Sequence, residues 1–301
     1  MNTSNSRVSK LENRRSRYSD ISSKAAQNAK AEKETPNSLE KFLRTPKGYL
    51  LAVLLVLALI GDLNTNAITG LKSTGIAVGT AVLLDFILSL RYKKKLRLPD
   101  GGILTGLIIA LVLNIAEQWY VPAIASAAAI LSKHILKMKK KPIFNPAAFG
   151  LLAVLLIFSS GQSWWGSLSL LPSWFVILVL IGGYMVTNKV NKFPQVFAFI
   201  GTYCLIILIM AYFGTGDVTN ALRNPFVNSA LFLAFFMVTD PPTSPAKYKD
   251  QVLFGFIAAT ISCADYLIFG GLSYLLIGLL AANAWKAWGT KKKLPVAVKR
   301  A

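Results

Sequence analysis

The sequence predicts an all-α polytopic membrane protein, with about ten transmembrane helices arranged as two inverted five-helix repeats. The chain of 301 residues is 54% hydrophobic, and its mean hydropathy is +0.51. Soluble domains are roughly 45–50% apolar. The apolar residues also fall in runs close to the length of about 20 residues that crosses a bilayer as a helix. Because charged residues cluster between these runs, the pattern favours a membrane protein over a soluble core.

Ten apolar segments are predicted to span the membrane. In chain order they cover residues 49–63, 74–90, 102–115, 119–136, 146–159, 173–188, 194–213, 222–239, 252–269 and 271–287. The third and fifth are short for a complete crossing. Their length indicates half-buried or broken helices.

The positive charges predict the orientation of these spans. The formal net charge is +20, and a cytoplasmic N-terminus places 31 of the 33 Lys and Arg residues on the cytoplasmic side, with only Lys72 and Arg223 outside. This bias follows the positive-inside rule. It predicts a multi-pass protein of the plasma membrane with both termini in the cytoplasm. Because topology accounts for the charge, the lipid bilayer is an expected partner and nucleic acid is not.

The chain divides by composition into three predicted segments. Residues 1–46 are polar and rich in Ser, Asn and charge, so they are predicted to be a disordered basic cytoplasmic tail. Residues 47–288 form the transmembrane domain, and residues 289–301 form a basic cytoplasmic C-terminal tail. An odd number of spans inverts the second half, so the repeats are predicted at about 47–160 and 172–288. Inverted repeats place binding sites at the interface between their halves.

Several kinds of chemistry lack the residues that they need. The two cysteines, Cys204 and Cys263, are isolated, which excludes a four-cysteine iron–sulfur cluster within one chain. The only histidine, His134, excludes a bis-histidine haem and is predicted to be an interfacial residue. P-loop, GxSxG and HExxH motifs are absent, so no metal site and no catalytic residue are predicted. Whether the chain is an enzyme stays open.

Three polar corners are predicted on the cytoplasmic face. They read LPDGGILTG (residues 98–106), IFNPAAFG (143–150) and VTDPPTSP (238–245). Irregular polar backbone at membrane depth persists only where it is buried in protein or lines a cavity. The corners therefore predict a cytoplasm-facing pocket, and the alternative is that each is only a helix cap. The candidate cofactor-binding residues in them are Asp100, Gly101, Thr105, Gly106, Asn145, Pro146, Thr239, Asp240 and Thr243.

Each corner has a predicted local role. Asp100 can cap the third span, and the glycines after it allow a backbone to approach a ligand closely. Asn145 is predicted as an N-cap, with Pro146 at the first helical position. The prolines of VTDPPTSP are predicted to stop the eighth span and to hold Asp240 and Thr243 in place.

Asp85 is the candidate for ion coupling. A carboxylate within a span is costly to bury, which makes it a functional candidate. The alternative is an ion pair in which the side chain extends toward the lysines at 93–95.

The motifs, in this order, resemble the RnfD/NqrB family of large membrane subunits in ion-pumping, flavin-dependent electron-transport complexes. The resemblance runs from about Leu50 to Asn283. It includes DGGILTGLIIAL, SKHILKMKKKPIFNPAAFG, the Gly-Gly pair at 182–183, FFMVTDPPTSP and GLLAAN. It implies two inverted five-span halves, flavin cofactors that relay electrons, redox partner proteins and coupled cation movement. The long basic tail is outside the family pattern, so the chain resembles a stand-alone or divergent member.

One departure from the family concerns flavin attachment. Family members carry an SGAT-like motif in the outer loop after the fifth span, and its threonine holds FMN through a phosphoester. The corresponding loop here reads SSGQSWWGSLSLLPSW and contains no threonine. The flavin, riboflavin or FMN, is therefore expected to be non-covalent, with Ser160 and Ser163 as weak candidates for attachment. Trp164 and Trp165 are predicted either to stack on a flavin or to form an aromatic belt.

Two other functions remain open. Inverted five-span repeats with broken helices also build solute pathways, so the chain is alternatively a small-molecule transporter or channel without redox activity. A scaffold that only assembles redox partners is the third possibility.

Overall fold

The computed structural model describes residues 38–64, 67–91, 100–138 and 140–292. The chain forms two compact units, residues 1–45 and residues 46–301. Within the described part, the first unit contains one short helix, α1 (Ser38–Leu43). The second unit contains the candidate spans.

The described part of the second unit is almost entirely helical. Its helices are α2 (Pro46–Asn64), α3 (Ala67–Arg91), α4 (Asp100–Val112), α5 (Tyr120–Ile135), α6 (Pro146–Phe158), α7 (Val176–Val190), α8 (Phe193–Phe213), α9 (Val218–Ala221), α10 (Asn224–Phe232), α11 (Tyr248–Phe269) and α12 (Tyr274–Lys292). A two-residue hairpin, β1 (Lys137–Met138) and β2 (Lys141–Pro142), joins α5 to α6. The all-α prediction is confirmed, and each of the ten predicted segments contains a helix of at least nine residues.

Among the described residues, five helical segments are long and apolar enough to cross a membrane: α2, α3, α7 together with the 3₁₀ turn that precedes it (Ser173–Val190), α8 and α11. Their outward faces expose large apolar side chains, such as Leu205 at 58% and Leu208 at 63% on α8. Lipid solvates such apolar faces favourably, whereas water does not. The chain is therefore a multi-pass membrane protein.

Helices α4 and α6 are short and central. Each has 13 residues, which is about 20 Å of helix against a hydrocarbon core of about 30 Å. The prediction of short third and fifth spans is confirmed. Both helices pack among their neighbours, α4 on α2, α3, α5 and α6, and α6 on α5 and α12. These two short helices begin at two of the polar corners.

Glycines let the short helices approach their neighbours. A Cβ built on Gly150 of α6 would lie 2.2 Å from the carbonyl oxygen of Ala125 in α5, and one on Gly106 of α4 would lie 2.6 Å from the Cα of Val78 in α3. Small residues permit this backbone contact between membrane helices. The space beside Gly106 is thus filled by a neighbouring helix.

The eighth predicted span is broken, which the sequence did not predict. Helix α10 ends at Phe232 and continues as a π-helical segment, Leu233–Met237. The Val238 N–H donates to the Leu233 carbonyl at 2.9 Å, which closes a wider turn than an α-helix has. The helical path ends before Pro241, as the prolines predicted. Such π turns frequently occur at functional sites.

Candidate functional site

The FNPA corner is held by the side chain of Asn145. Asn145 is the N-cap of α6, as predicted, and its Oδ1 accepts from the Ala148 N–H at 3.1 Å. Its Nδ2 donates to the carbonyl of Met237 at 3.3 Å, at the end of the π segment. Pro146 occupies the first helical position, where it requires no backbone donor. One buried amide therefore both caps α6 and ties it to the broken span.

The proline turn, residues 238–245, is bonded around Asp240. The Asp240 carbonyl accepts from the N–H groups of Thr243 at 3.2 Å and Ser244 at 3.0 Å. The Asp240 carboxylate accepts from the Thr243 hydroxyl at 2.7 Å. The Thr239 hydroxyl donates back to the Phe235 carbonyl at 2.6 Å. The turn is thus internally bonded, in addition to the stiffness that its prolines confer.

Asn283 joins the two corners, and sequence reasoning missed it as a site residue. Its Oδ1 accepts from the Asn145 N–H at 2.7 Å, and its Nδ2 donates to the Thr243 carbonyl at 3.2 Å. The residue is fully buried in α12. The signal in the sequence was a lone amide in an apolar helix, because a buried amide must find partners. Asn145, Asp240, Thr243 and Asn283 together form the corner cluster.

Three further side chains satisfy the carbonyls of the proline turn. Lys286 of α12 donates to the Pro242 carbonyl at 2.8 Å. Lys192, just before α8, donates to the Pro245 carbonyl, and Gln195 of α8 donates to the Val238 carbonyl at 2.6 Å. The turn is therefore clamped from two sides by polar groups, none of which was a predicted site residue.

The proline turn also concentrates charge. Desolvation raises the pKa of Asp240 above its ordinary value, while the Thr243 hydrogen bond and the charges of Lys286, Lys47 and Lys192 oppose that rise. Burial lowers the pKa of Lys192 to about 8; Lys286 and Lys141 reinforce this effect, and Asp240 opposes it. Several lysines thus surround one carboxylate.

Within the described residues, charge rather than hydrogen bonding links the DGG corner to the corner cluster. Asp100 accepts from the Gly101 N–H at 2.8 Å and forms a salt bridge with Lys47, also 2.8 Å. The Thr105 hydroxyl donates to the Gly101 carbonyl at 2.7 Å. Among the described residues, no hydrogen bond connects this corner to Asn145, but Lys47 also acts on the carboxylate of Asp240. The structure thus joins two corners directly and the third electrostatically.

Asp85 is paired with residues of α5. Its carboxylate lies 2.9 Å from the Lys133 Nζ and 2.8 Å from the His134 Nε2. The lysines at 93–95 lie outside the described residues, so that predicted pairing is not described. His134 is 4% exposed and lies in the last turn of α5, where it packs against the Asp85 carboxylate; its place at the membrane interface stays a prediction. Ion coupling at Asp85 stays a prediction.

The double glycine of α4 accommodates this ion pair. A Cβ on Gly101 would lie 2.8 Å from the Lys133 Nζ, and one on Gly102 would lie 3.2 Å from the Asp85 Cβ. The start of α4 therefore packs directly on the pair. Its N-terminal peptide dipoles favour the carboxylate there.

The loop between α6 and α7 folds into the core. Trp164 and Trp165 are 0% and 2% exposed, and the Trp165 Nε1 donates to the Ala110 carbonyl at 2.6 Å. They pack inside the protein, so the aromatic-belt interpretation is wrong. Ser160 is 4% exposed with an unpartnered hydroxyl, and the Ser163 hydroxyl donates to the Leu113 carbonyl at 3.3 Å. Both candidate serines are thus turned into the structure.

A cavity of about 420 Å³ adjoins the proline turn. It lies between the turn, the β1–β2 hairpin and the C-terminal half of α12. The proline turn contributes Pro241, Ser244 and Pro245, whereas the nine predicted site residues lie outside the lining. The remaining lining residues are Met138, Lys141, Pro142, Ile143, Ala246, Lys247, Asp250, Trp285, Lys286, Ala287, Gly289 and Thr290.

Comparison with known proteins identifies related sequences. Residues 162–271, from the outer loop through the proline turn to the end of α11, match the family described as NQR2, RnfD, RnfE. A curated protein of Clostridium ljungdahlii, named as a subunit of a proton-translocating ferredoxin:NAD(+) oxidoreductase complex, is 24% identical over 254 residues. That alignment covers 68% of this chain and 76% of the relative.

Proposed function

Because this chain is a member of the NQR2, RnfD, RnfE family, we propose that it is a membrane electron-transport protein with a non-covalently bound flavin. It carries electrons across or along the plasma membrane, receives them from partner proteins and couples their movement to that of a cation. The observation that supports this best is the corner cluster, where Asn283 joins the FNPA and TDPPTSP motifs beside a cavity of about 420 Å³. The Clostridium relative is one subunit of a complex, which supports the need for partners.

The proposed architecture has two inverted repeats with both termini in the cytoplasm. In each half the first helix packs on the third, the second on the fourth and the fourth on the fifth. Across the halves, α2 packs on α7 and α6 packs on α12. Helices α2 and α7 are the first and sixth spans, and α6 and α12 are the fifth and tenth. A two-fold axis in the membrane plane would bring each of these corresponding pairs together. This order of packing supports the repeat.

The residues around the cavity fit a flavin better than the corner cluster does. Of the nine predicted site residues, all of them described, none has a buried side-chain polar atom without a partner. The corner cluster therefore holds one wall of the cavity in place and does not itself offer free polar groups to a ligand. The cavity has a volume in the range of about 300–1,000 Å³ that is usual for ligand pockets. Trp285 supplies a planar apolar surface there, and Ser244 and Lys286 supply polar groups.

The roles of these residues follow from their chemistry. A bound flavin supplies reversible electron transfer. The Trp285 indole can stack on a planar ring, which orients it and excludes water. The Lys286 ammonium donates to the Pro242 carbonyl at 2.8 Å, and its positive charge would stabilise negative charge on a reduced flavin in the cavity. The proline turn keeps these groups in place.

The absorption spectrum of the purified protein tests this proposal. We expect flavin bands that dithionite bleaches, and free flavin after denaturation. Trp285→Leu should lower the flavin content severalfold, whereas Trp288→Leu, at a residue that is 59% exposed on the same helix, should leave it unchanged. A preparation that stays colourless after incubation with riboflavin and FMN would remove the proposal.

The flavin is expected to leave the protein on denaturation. The Ser160 hydroxyl is buried and the Ser163 hydroxyl is bonded to the Leu113 carbonyl, so neither is presented to a flavin transferase. A denaturing gel under ultraviolet light, with protein made in cells that contain the transferase, should show no fluorescent band at the full-length mass. A band that disappears in Ser160→Ala or Ser163→Ala would contradict this expectation.

A transporter or channel is the second candidate function. The buried Asp85–Lys133–His134 cluster supports it, because ionisable groups inside a membrane protein often mark an ion pathway. Solute or ion uptake into vesicles without any reductant, abolished in Asp85→Asn, would favour this function over electron transport.

A further inference from the structure

We propose that the cavity beside the proline turn is a binding site for a phosphate ester, and that its lysines hold the phosphate. The group can belong to a soluble phosphomonoester such as FMN, which rests on the proposed function, or to the headgroup of a phospholipid in the adjoining leaflet. Its chemistry is the same in both cases. The inference follows from the charge, the bonding and the apolar wall of the cavity.

The charged residues that line the cavity are predominantly cationic. Lys141 comes from β2, Lys247 is the N-cap of α11, and Lys286 comes from α12. Among the described lining residues, the one acid is Asp250, in the first turn of α11. Three separate elements therefore bring positive charge to one cavity. Lysine binds phosphate as a point charge, and several lysines can share one phosphate group.

Among the described residues, no salt bridge balances this positive charge, although the carboxylate of Asp240 attracts Lys192 and Lys286. Lys286 and, behind the turn, Lys192 donate to backbone carbonyls, which are neutral acceptors. Of the salt bridges between described residues, none involves Lys141, Lys192, Lys247 or Lys286. Lys192 is only 5% exposed, and buried charges normally have a charged partner. An anion in the adjoining cavity would add negative charge to this group of lysines; Lys286 lines that cavity, whereas Lys192 lies behind the turn.

The electrostatic coupling among the lysines supports the same conclusion. The pKa of Lys192 falls to about 8 because of burial, with added repulsion from Lys286 and Lys141, and only Asp240 acts in the opposite direction. Three ammonium groups are thus close enough to repel one another. A phosphate beside Lys141 and Lys286, which both line the cavity, would reduce that repulsion.

The apolar part of the cavity lining favours a phosphate ester with an apolar group over inorganic phosphate. Trp285, Met138 and Pro142 line the same cavity as the lysines, and the volume of about 420 Å³ exceeds what a phosphate needs. A phosphate linked to a planar or apolar group would use both surfaces. This chemistry is shared by FMN and by a phospholipid.

Binding measurements on the purified full-length protein test the site. Tryptophan fluorescence is titrated with FMN and with riboflavin, then with FMN in the presence of inorganic phosphate. Native mass spectrometry measures phospholipid that stays bound after detergent exchange. The test variant is Lys141→Gln/Lys247→Gln, because neither side chain donates a hydrogen bond to the proline turn within the described ranges. The control is Lys189→Gln/Lys249→Gln, which removes the same charge from exposed positions outside the lining.

If FMN is the source, it should bind at least about tenfold more tightly than riboflavin, and phosphate should compete. If a phospholipid is the source, it should stay bound and be displaced by phosphate, with FMN no tighter than riboflavin. In either case Lys141→Gln/Lys247→Gln should lose the phosphate-dependent binding of FMN or phospholipid, and Lys189→Gln/Lys249→Gln should keep it. Retained phospholipid with no flavin binding would reject the flavin function and leave the phosphate site standing. Equal binding of FMN and riboflavin, without competition by phosphate and without retained phospholipid, would overturn the phosphate site even if flavin is bound.

Discussion

Asn283→Leu is expected to lower the free energy of unfolding by roughly 2–5 kcal/mol and to abolish flavin binding. Leucine has the same number and branching of side-chain heavy atoms, so the shape is nearly preserved, but the Asn145 N–H and the Thr243 carbonyl each lose a buried partner. An unsatisfied buried backbone group costs about 1–3 kcal/mol. Because the amide joins α6 to the proline turn, its loss should also loosen the wall of the cavity. Thermal unfolding in detergent and the flavin content measure the two effects.

The matched control is Asn188→Leu. Asn188 is also a helical asparagine, near the end of α7, but its side chain is exposed. The same chemical change there should shift the unfolding midpoint by little. If Asn283→Leu unfolds at the temperature of the control and keeps its flavin, the corner cluster does not hold the site together.

Gly150→Val is expected to cost about 3 kcal/mol or more and to reduce the yield of folded protein. The first carbon of the new side chain would lie 2.2 Å from the Ala125 carbonyl oxygen and 2.9 Å from the Ala129 Cβ. Backbone cannot rotate away as a side chain can, so α5 and α6 must separate. Overpacking costs about 1–3 kcal/mol even where side chains can adjust. The separation would also displace Asn145, one turn earlier on α6. Size-exclusion profiles and thermal unfolding measure the loss.

Gly201→Val provides the control for this change. Gly201 also lies inside a helix, α8, and apart from the adjacent backbone of that helix no described atom lies within 4 Å of the place of its Cβ. Both variants bear the same local cost of valine in a helix, so their difference isolates the contact between α5 and α6. Equal stability of the two variants would contradict the proposed role of Gly150.

The positions of the helices and caps were predictable because their signals are local. Apolar runs located the main helix of each of the ten predicted spans. The short third and fifth runs correspond to the 13-residue helices α4 and α6. Asn145 followed by Pro146 predicted an N-cap because cap chemistry involves residues three positions apart. The end of the eighth span at its prolines was predictable for the same reason.

The bonds that assemble the site were not predictable in this way. Residues that are 138 positions apart in the chain meet at the Asn145–Asn283 hydrogen bond, and residues 48 apart meet at the Asp85–Lys133 pair. The local sequence does not indicate which distant residue such a side chain will contact. The sequence suggested lysines at 93–95 for Asp85 because they are near in the chain, whereas the fold brings α5 closer.

By itself, the sequence determined that this chain is helical and membrane-embedded, because hydrophobic length and composition act over one segment at a time. It also located motifs that resemble the NQR2, RnfD, RnfE family, whose model matches residues 162–271. Only the tertiary structure decided which corners meet, that Asn283 joins them, that Trp164 and Trp165 enter the core, and that lysines from three elements line one cavity. The physical reason is that a buried polar group takes the partner that packing brings within hydrogen-bond distance, and packing depends on all the helices together.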